Sequence, residues 1–375
     1  MGHKKTPGLY KRTGVWHIDK QFRGNRLCES TGESDLGKAE QYLARRIEEI
    51  RQAGVYGVRP QRTFQQAATK FLTDEIAMGQ RRSLDRYAQA MKLLDPYIGK
   101  LPLHQVHMGT LTPYIQDRLR AKKKPATINR DMAVVRRVLN LAARLWRDEY
   151  GLTWLETPPL IQMLSNKEAR KPYPLSWEEQ RMLFGELPGH LERMALFKVN
   201  TGTREQEVCN LRWDWEVAVP ELGTSVFIVP AEFVKNGEER LIVLNRIAKS
   251  IVEEQRGKHA ELVFTYEGRK LGKLHTSAWN RARAKAAKKY TTESGKPCLE
   301  GLRKIRVHDL KHTFGRRLRA AGVSFEDRQD LLGHRSARIT THYSGSELQT
   351  LIEAADKACG DGSRKSPALV VLKRA

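Results

Sequence analysis

The chain has 375 residues, with 67 Lys and Arg against 43 Asp and Glu and a formal charge of +24. An excess of that size favours a polyanionic partner, nucleic acid above all. A membrane surface is the competitor, but no apolar run approaches the ~18 residues that span a bilayer. The opening MGHKKTPGLY also lacks the apolar core of a signal peptide, so an intracellular protein is expected.

The length exceeds one typical domain of roughly 100 to 200 residues, so two or three units are expected. Cys28, Cys209, Cys298 and Cys359 stand singly, without the paired spacing of a zinc site or the framework of a disulfide-stapled fold. His308 and His312 share a helical face but lack the Glu of a zincin motif, so no metal is expected.

Along the chain, GLYKRTG, VWHIDKQFR and RLCESTG read as a small sheet, and DLGKAEQYLARRIEEI follows with helical periodicity. Residues 1–26 carry seven Lys or Arg and one Asp, with Tyr10, Trp16 and Phe22 among them. That mixture suits phosphate contacts flanked by stacking or wedge residues. A basic but merely solvated β-element is the plainer alternative.

A second unit begins near RPQRTFQQAATKFL, where Thr63 and Gln66 are set as a capping box. SLDRYAQAMKLLDPYIG, TLTPYIQDRLRAKKK and ATINRDMAVVRRVLNLAARLW continue as helices of a bundle, with Pro113 expected in a helix first turn. Lys122, Lys123, Lys124, Arg130, Arg136 and Arg137 are candidates for DNA phosphate contacts, although a charge run is more often a wet face.

The composition shifts at SNKEARKPYPLSWEEQ, which reads as a linker into a helix opened by a second capping box, Ser176 with Glu179. A helix ending near LRWDW precedes β-like SVFIVPAEFVKNGEERLIVLN, whose Asn236-Gly237 is a hairpin signal. The remainder reads as mainly helical to about residue 358, ahead of the tail GDGSRKSPALVVLKRA. In TSAWNRARAKAAKKY, Arg281, Lys285, Lys288 and Lys289 share one helical face, and Trp279, Ala282 and Ala286 share another. The expected division is 1–58, 59–165, 172–358 and a tail over 359–375.

Four separated clusters of the last unit belong together. TGTREQEVCNLRW holds Arg204, VKNGEERLIVL holds Lys235, HDLKHTF holds His308 and Lys311, and LLGHRSARITTHY holds His334, with Tyr343 nine positions later. In order and spacing, including Glu207 just after Arg204, the set resembles the tyrosine recombinases of the phage-integrase family. One such cluster alone is commonplace; the ordered set is specific.

The resemblance implies an α+β, mainly helical chain: a small N-terminal sheet-plus-helix domain for arm-type DNA sites, a helical core-binding domain, and a C-terminal catalytic domain with a small sheet. It implies a site-specific recombinase acting on double-stranded DNA attachment sites as a homotetramer, through a four-way junction, in a bacterial cytoplasm, with accessory DNA-bending proteins as candidate partners. A type IB-like topoisomerase is the alternative among enzymes. A noncatalytic repressor or architectural protein is the alternative outside them.

Phosphoryl transfer to a side chain explains why such residue types recur. The transition state gathers negative charge on the nonbridging oxygens, so cationic, fork-shaped donors lower the barrier, and Arg204, His308, Lys311 and His334 can supply them. Tyr343 would attack phosphorus and conserve the bond energy as a phosphotyrosine, so neither ATP nor a metal is required. A free phenol titrates near ~10 and needs a proton acceptor. By resemblance His308 is that base, and Lys235 protonates the departing 5′ oxygen.

One position departs from the family pattern. His308-Asp309-Leu310-Lys311 stands where the family usually has His-x-x-Arg, and lysine keeps the charge while losing the two-pronged grip on phosphate.

Overall fold

A computed structural model describes residues 6–22, 24–79, 83–167, 170–295, 297–334 and 345–360. Tyr343 and tail residues 361–375 lie outside the described residues. The chain divides into two compact units, Met1–Ala169 and Arg170–Ala375. Its class is α+β and mainly helical, as the sequence suggests.

In the first unit, β1 (Leu9–Arg12), β2 (Val15–Phe22) and β3 (Asn25–Ser30) form an antiparallel meander, followed by α1 (Leu36–Tyr56). Leu9, Ile18 and Leu27 from the strands and Ala39, Leu43 and Ile50 from the helix make a small core of their own. Trp16 and Phe22 pack against that core, so of the three aromatic residues noted above only Tyr10 stands exposed, with its ring stacked on His17 at 5.5 Å.

A second core lies among α2 (Phe64–Ala77), α3 (Leu84–Leu94), α4 (Met108–Arg120) and α5 (Pro125–Arg144). The Thr63–Gln66 capping box is present at the start of α2. Pro113 differs from expectation. His107 caps α4 through its side chain and starts the helix at Met108, which leaves Pro113 in the interior, and Pro125 takes the first-turn position of α5 instead. Arg137, a candidate for phosphate contact, pairs at 2.6 Å with the buried Glu75.

The second unit runs α6 (Trp177–Phe184), α7 (Gly189–Thr201), α8 (Glu205–Cys209), β4 (Glu216–Val219), β5 (Thr224–Val229), β6 (Arg240–Val243) and α9 (Arg246–Gln255). It continues through β7 (Thr265–Tyr266), β8 (Arg269–Lys270), α10 (Ser277–Ser294), α11 (Glu300–Arg303), α12 (Asp309–Ala320), α13 (Phe325–Leu332) and α14 (Gly345–Lys357). The Ser176–Glu179 box opens α6 as expected. The sheet β4-β5-β6 is antiparallel and pairs Val226 with Val243 and Phe227 with Ile242. Because strand side chains alternate, these pairs serve different cores: Phe227 and Ile242 join α7, α9 and α10, whereas Val226 and Val243 join α12, α13 and α14. The β5–β6 connection is longer than a two-residue turn, since residues 230–239 include a 3-10 turn at Ala231–Phe233 before Asn236-Gly237.

Along α10, Trp279, Ala282 and Ala286 are buried and Arg281, Lys285, Lys288 and Lys289 are exposed, the two faces read from the sequence. Lys285 and Lys289 each lie 3.9 Å from Glu186, which offsets part of that basic stripe.

Candidate active site

Arg204 is placed by a turn that only certain residues can make. Helix α7 stops at Gly202, whose φ of 63° is left-handed and whose added Cβ would meet the Phe314 ring at 2.7 Å. Arg204 then caps α8. Its backbone N–H donates to Glu207 Oε2 at 2.7 Å, its Nη1 donates to Glu207 Oε1 at 2.8 Å, and its Nη2 donates to the Gly333 carbonyl at 3.2 Å. Beneath the turn, the fully buried Lys198 of α7 donates to the Thr203 carbonyl.

The second cluster sits at the start of α12. Buried Asp309 accepts from Arg170 Nη2 at 2.8 Å, Tyr173 N at 3.2 Å and Arg306 N at 2.9 Å, which fixes the helix N-terminus and so the base of His308. His308 itself is exposed and meets the His312 ring edge-on at 4.9 Å. Lys311, one turn on, is buried and donates to the Leu332 carbonyl.

These segments converge at the C-terminal end of α13. Arg240 Nη2 donates to the Leu331 carbonyl at 3.4 Å, Lys311 takes the Leu332 carbonyl, and Arg204 takes the Gly333 carbonyl. Successive carbonyls at the negative end of a helix are thus held by three basic side chains. Exposed His334 follows at once, its N–H donating to Gln329 O at 3.0 Å. The structure therefore brings together Arg204, Lys311, His308 and the elbow that carries His334. It does not join Lys235 to them: that residue stands exposed on the β5–β6 connection and makes no hydrogen bond or ion pair with a described residue.

The electrostatics follow from crowding. Arg204, Arg240, Lys198 and Lys311 surround one buried carboxylate, Glu207. Burial pushes Glu207 upward, but Arg240 and Arg204 outweigh it and hold the carboxyl below its usual range. Burial, with Arg240 and Arg204 nearby, pushes Lys311 down to about 6. Partial desolvation of its ring, although an edge stays exposed, and the neighbouring Lys198 push His308 down to about 4, so its imidazole is neutral at pH 7. His334, also exposed at one edge, is lowered by partial desolvation of its ring and then by Lys311 and Arg204. A cluster with this surplus of basic groups attracts an anion, and such donors are suited to the oxygens of a phosphodiester.

Two members escaped the sequence reading, Lys198 and Arg240. Their signal was present: Lys198 is the one charge in ALFKVNTG, and Arg240 opens the apolar run RLIV. A lone charge in such a setting points to a buried, partnered group only once the fold supplies the partner.

Comparison with known proteins gives the same picture. Residues 183–349 match the phage integrase family. The integrase of Salmonella phage P22 is 22% identical over 90% of this chain and 90% of its own. The tyrosine recombinase XerC of Treponema denticola is 23% identical over 73% of this chain and 92% of its own. A lambda integrase dimer bound to a COC′ core site superposes with a TM-score of 0.52 at 14% identity, over 99% of both chains, a likeness of fold. With that match, and with tyrosine recombinases and integrases aligning along most of the chain, residues 183–349 form a domain of the phage integrase family.

Proposed function

We propose that the chain is an integrase that cleaves and rejoins duplex DNA through a 3′-phosphotyrosine intermediate on Tyr343. The phenol oxygen attacks phosphorus as the 5′ oxygen leaves, and the energy of the phosphodiester stays in the tyrosyl ester until a 5′-hydroxyl reverses the step. Neutral His308 takes the phenol proton. Arg204 and Lys311 meet the nonbridging oxygens, His334 donates to them, and Lys235 protonates the departing 5′ oxygen.

One observation carries this reading: Arg204 and Lys311, from distant stretches of sequence, converge beside His334 at the root of the segment that bears Tyr343. Binding alone requires positive charge on a surface, not cations gathered around a buried carboxylate. On the same reading, residues 1–58 hold arm-type sites, 59–165 core-type sites and 172–358 the chemistry, with the tail over 359–375 making protein contacts. Four copies would exchange strands through a four-way junction at the attachment sites of a phage or genomic island. The setting is the bacterial nucleoid, with DNA-bending accessory proteins.

The test uses nicked duplexes with a randomised core, from which the full chain captures its site covalently. Tyr343→Phe is expected to bind the captured duplex with unchanged affinity and to form no adduct under denaturing conditions, since only the attacking oxygen is lost. Adduct at wild-type level would remove Tyr343 from the role of nucleophile.

A further inference from the structure

Arg240 is the first residue of β6 and its guanidinium is fully buried, so it cannot serve as a surface contact for DNA. Each of its bonds leads to a different part of the site. Nη1 donates to Glu207, the carboxylate that also holds both the backbone and the side chain of Arg204. Nη2 donates to the Gly202 carbonyl at 3.1 Å, in the turn that presents Arg204, and to the Leu331 carbonyl at 3.4 Å, at the end of α13 that presents His334. Its Nε is buried with no hydrogen-bond partner, and a Cβ at Gly333 would come within 2.7 Å of that nitrogen. Five residues earlier in the chain, on the connection that β6 terminates, is Lys235.

An ion pair buried this deeply is a poor source of stability, because desolvating the two charges consumes most of what their attraction returns. Its geometry instead fixes an arrangement. The turn of Arg204, the elbow of His334 and the root of the Lys235 connection are three separate stretches of chain, and a single planar guanidinium is bonded to two of them and begins the strand that anchors the third. We propose that Arg240 is a positioning residue for strand cleavage, holding Arg204, His334 and Lys235 in register with one another without touching DNA. The proposal rests on the functional reading above, in which those three residues act at the scissile phosphate.

The test is single-turnover cleavage of the captured nicked duplex by the full chain at saturating DNA. Arg240→Met is expected to lower the rate constant by roughly 10²-fold, the scale of a misplacement of about 1 Å at a reacting centre, while affinity for the duplex stays within about threefold of wild type. Arg240→Lys keeps a basic group at the position and is expected to recover part of the loss. The decisive comparison is Arg204→Ala with and without Arg240→Met. A residue that acts in part through Arg204 costs less once Arg204 is gone, so the double variant should lose clearly less than the product of the two single losses. Wild-type cleavage by Arg240→Met overturns the proposal, as does a loss that multiplies in full with that of Arg204→Ala. If Arg240→Met does not fold, wild-type cleavage by Arg240→Lys overturns it, and a tenfold or greater loss with an unchanged melting temperature upholds it. Adduct formation by the Tyr343→Phe control overturns the functional reading and this proposal together, whereas wild-type adduct alongside unaffected Arg240 variants counts against Arg240 alone.

Discussion

Lys198 is fully buried with its ammonium on the Thr203 carbonyl, and burial, reinforced by Arg240 and opposed by Glu207, pushes it down to about 7. A lysine in the unfolded chain titrates near ~10.4, so between roughly pH 7 and 10 the folded protein binds fewer protons than the unfolded one. Stability therefore rises with pH across that window, and the full cost of the buried charge is present below it. Each such group adds a slope of up to about 1.4 kcal/mol per pH unit. Denaturant unfolding at pH 7 and pH 9 should show this gain, and Lys198→Met should reduce it; equal gains in both proteins would mean that Lys198 titrates normally in the fold. Residues of this kind mark the limit of what was legible. Arg204, His308, Lys311 and His334 stand in motifs whose order carried the prediction, and the structure gathers them. Lys198 and Arg240 lie in apolar runs where a charge has no visible partner, because the partners arrive from other segments of the chain.

Among elements, local signals read well and long-range ones did not. Both capping boxes formed because each is settled within four residues, whereas Pro113 fell inside α4 because a histidine, seldom thought of as a cap, started that helix early. The paired runs β5 and β6 were evident as apolar runs on either side of Asn236-Gly237, while their connection over residues 230–239 is longer than the two-residue turn that signal suggests. The end of α13 offers a test at this scale. Gly333 is left-handed at φ 56° and is crowded by Arg240 Nε, and Gly322 is left-handed at φ 74° with open space around its would-be Cβ. Gly322→Ala should cost about 1 kcal/mol, the backbone penalty alone. Gly333→Ala should cost at least about 1 kcal/mol more, since a fully buried side chain must also move. Equal losses in denaturant unfolding would show that Arg240 yields freely.

For the whole molecule, the small core of the N-terminal sheet and α1, against which Tyr150 also packs, makes that region a candidate for removal without loss of the chemistry. A chain lacking residues 1–58 should still form adduct on the captured nicked duplex at a rate within about threefold of the intact protein, yet fail to recombine substrates that require arm sites. Binding of arm DNA by the intact chain should weaken steeply with salt, as phosphate neutralisation demands. Recombination of full attachment sites by the shortened chain at the intact rate would return the segment to a solvated appendage. The formal charge of +24 describes a surface that attracts any stretch of duplex. The interior of the site behaves differently. With Lys311 at about 6 and resting on the Leu332 carbonyl, the amine is largely uncharged at neutral pH until an anion reaches it. On the proposed reaction, a phosphate that draws Lys311 off that carbonyl would favour its charged form, so engagement of the scissile group would take up a proton.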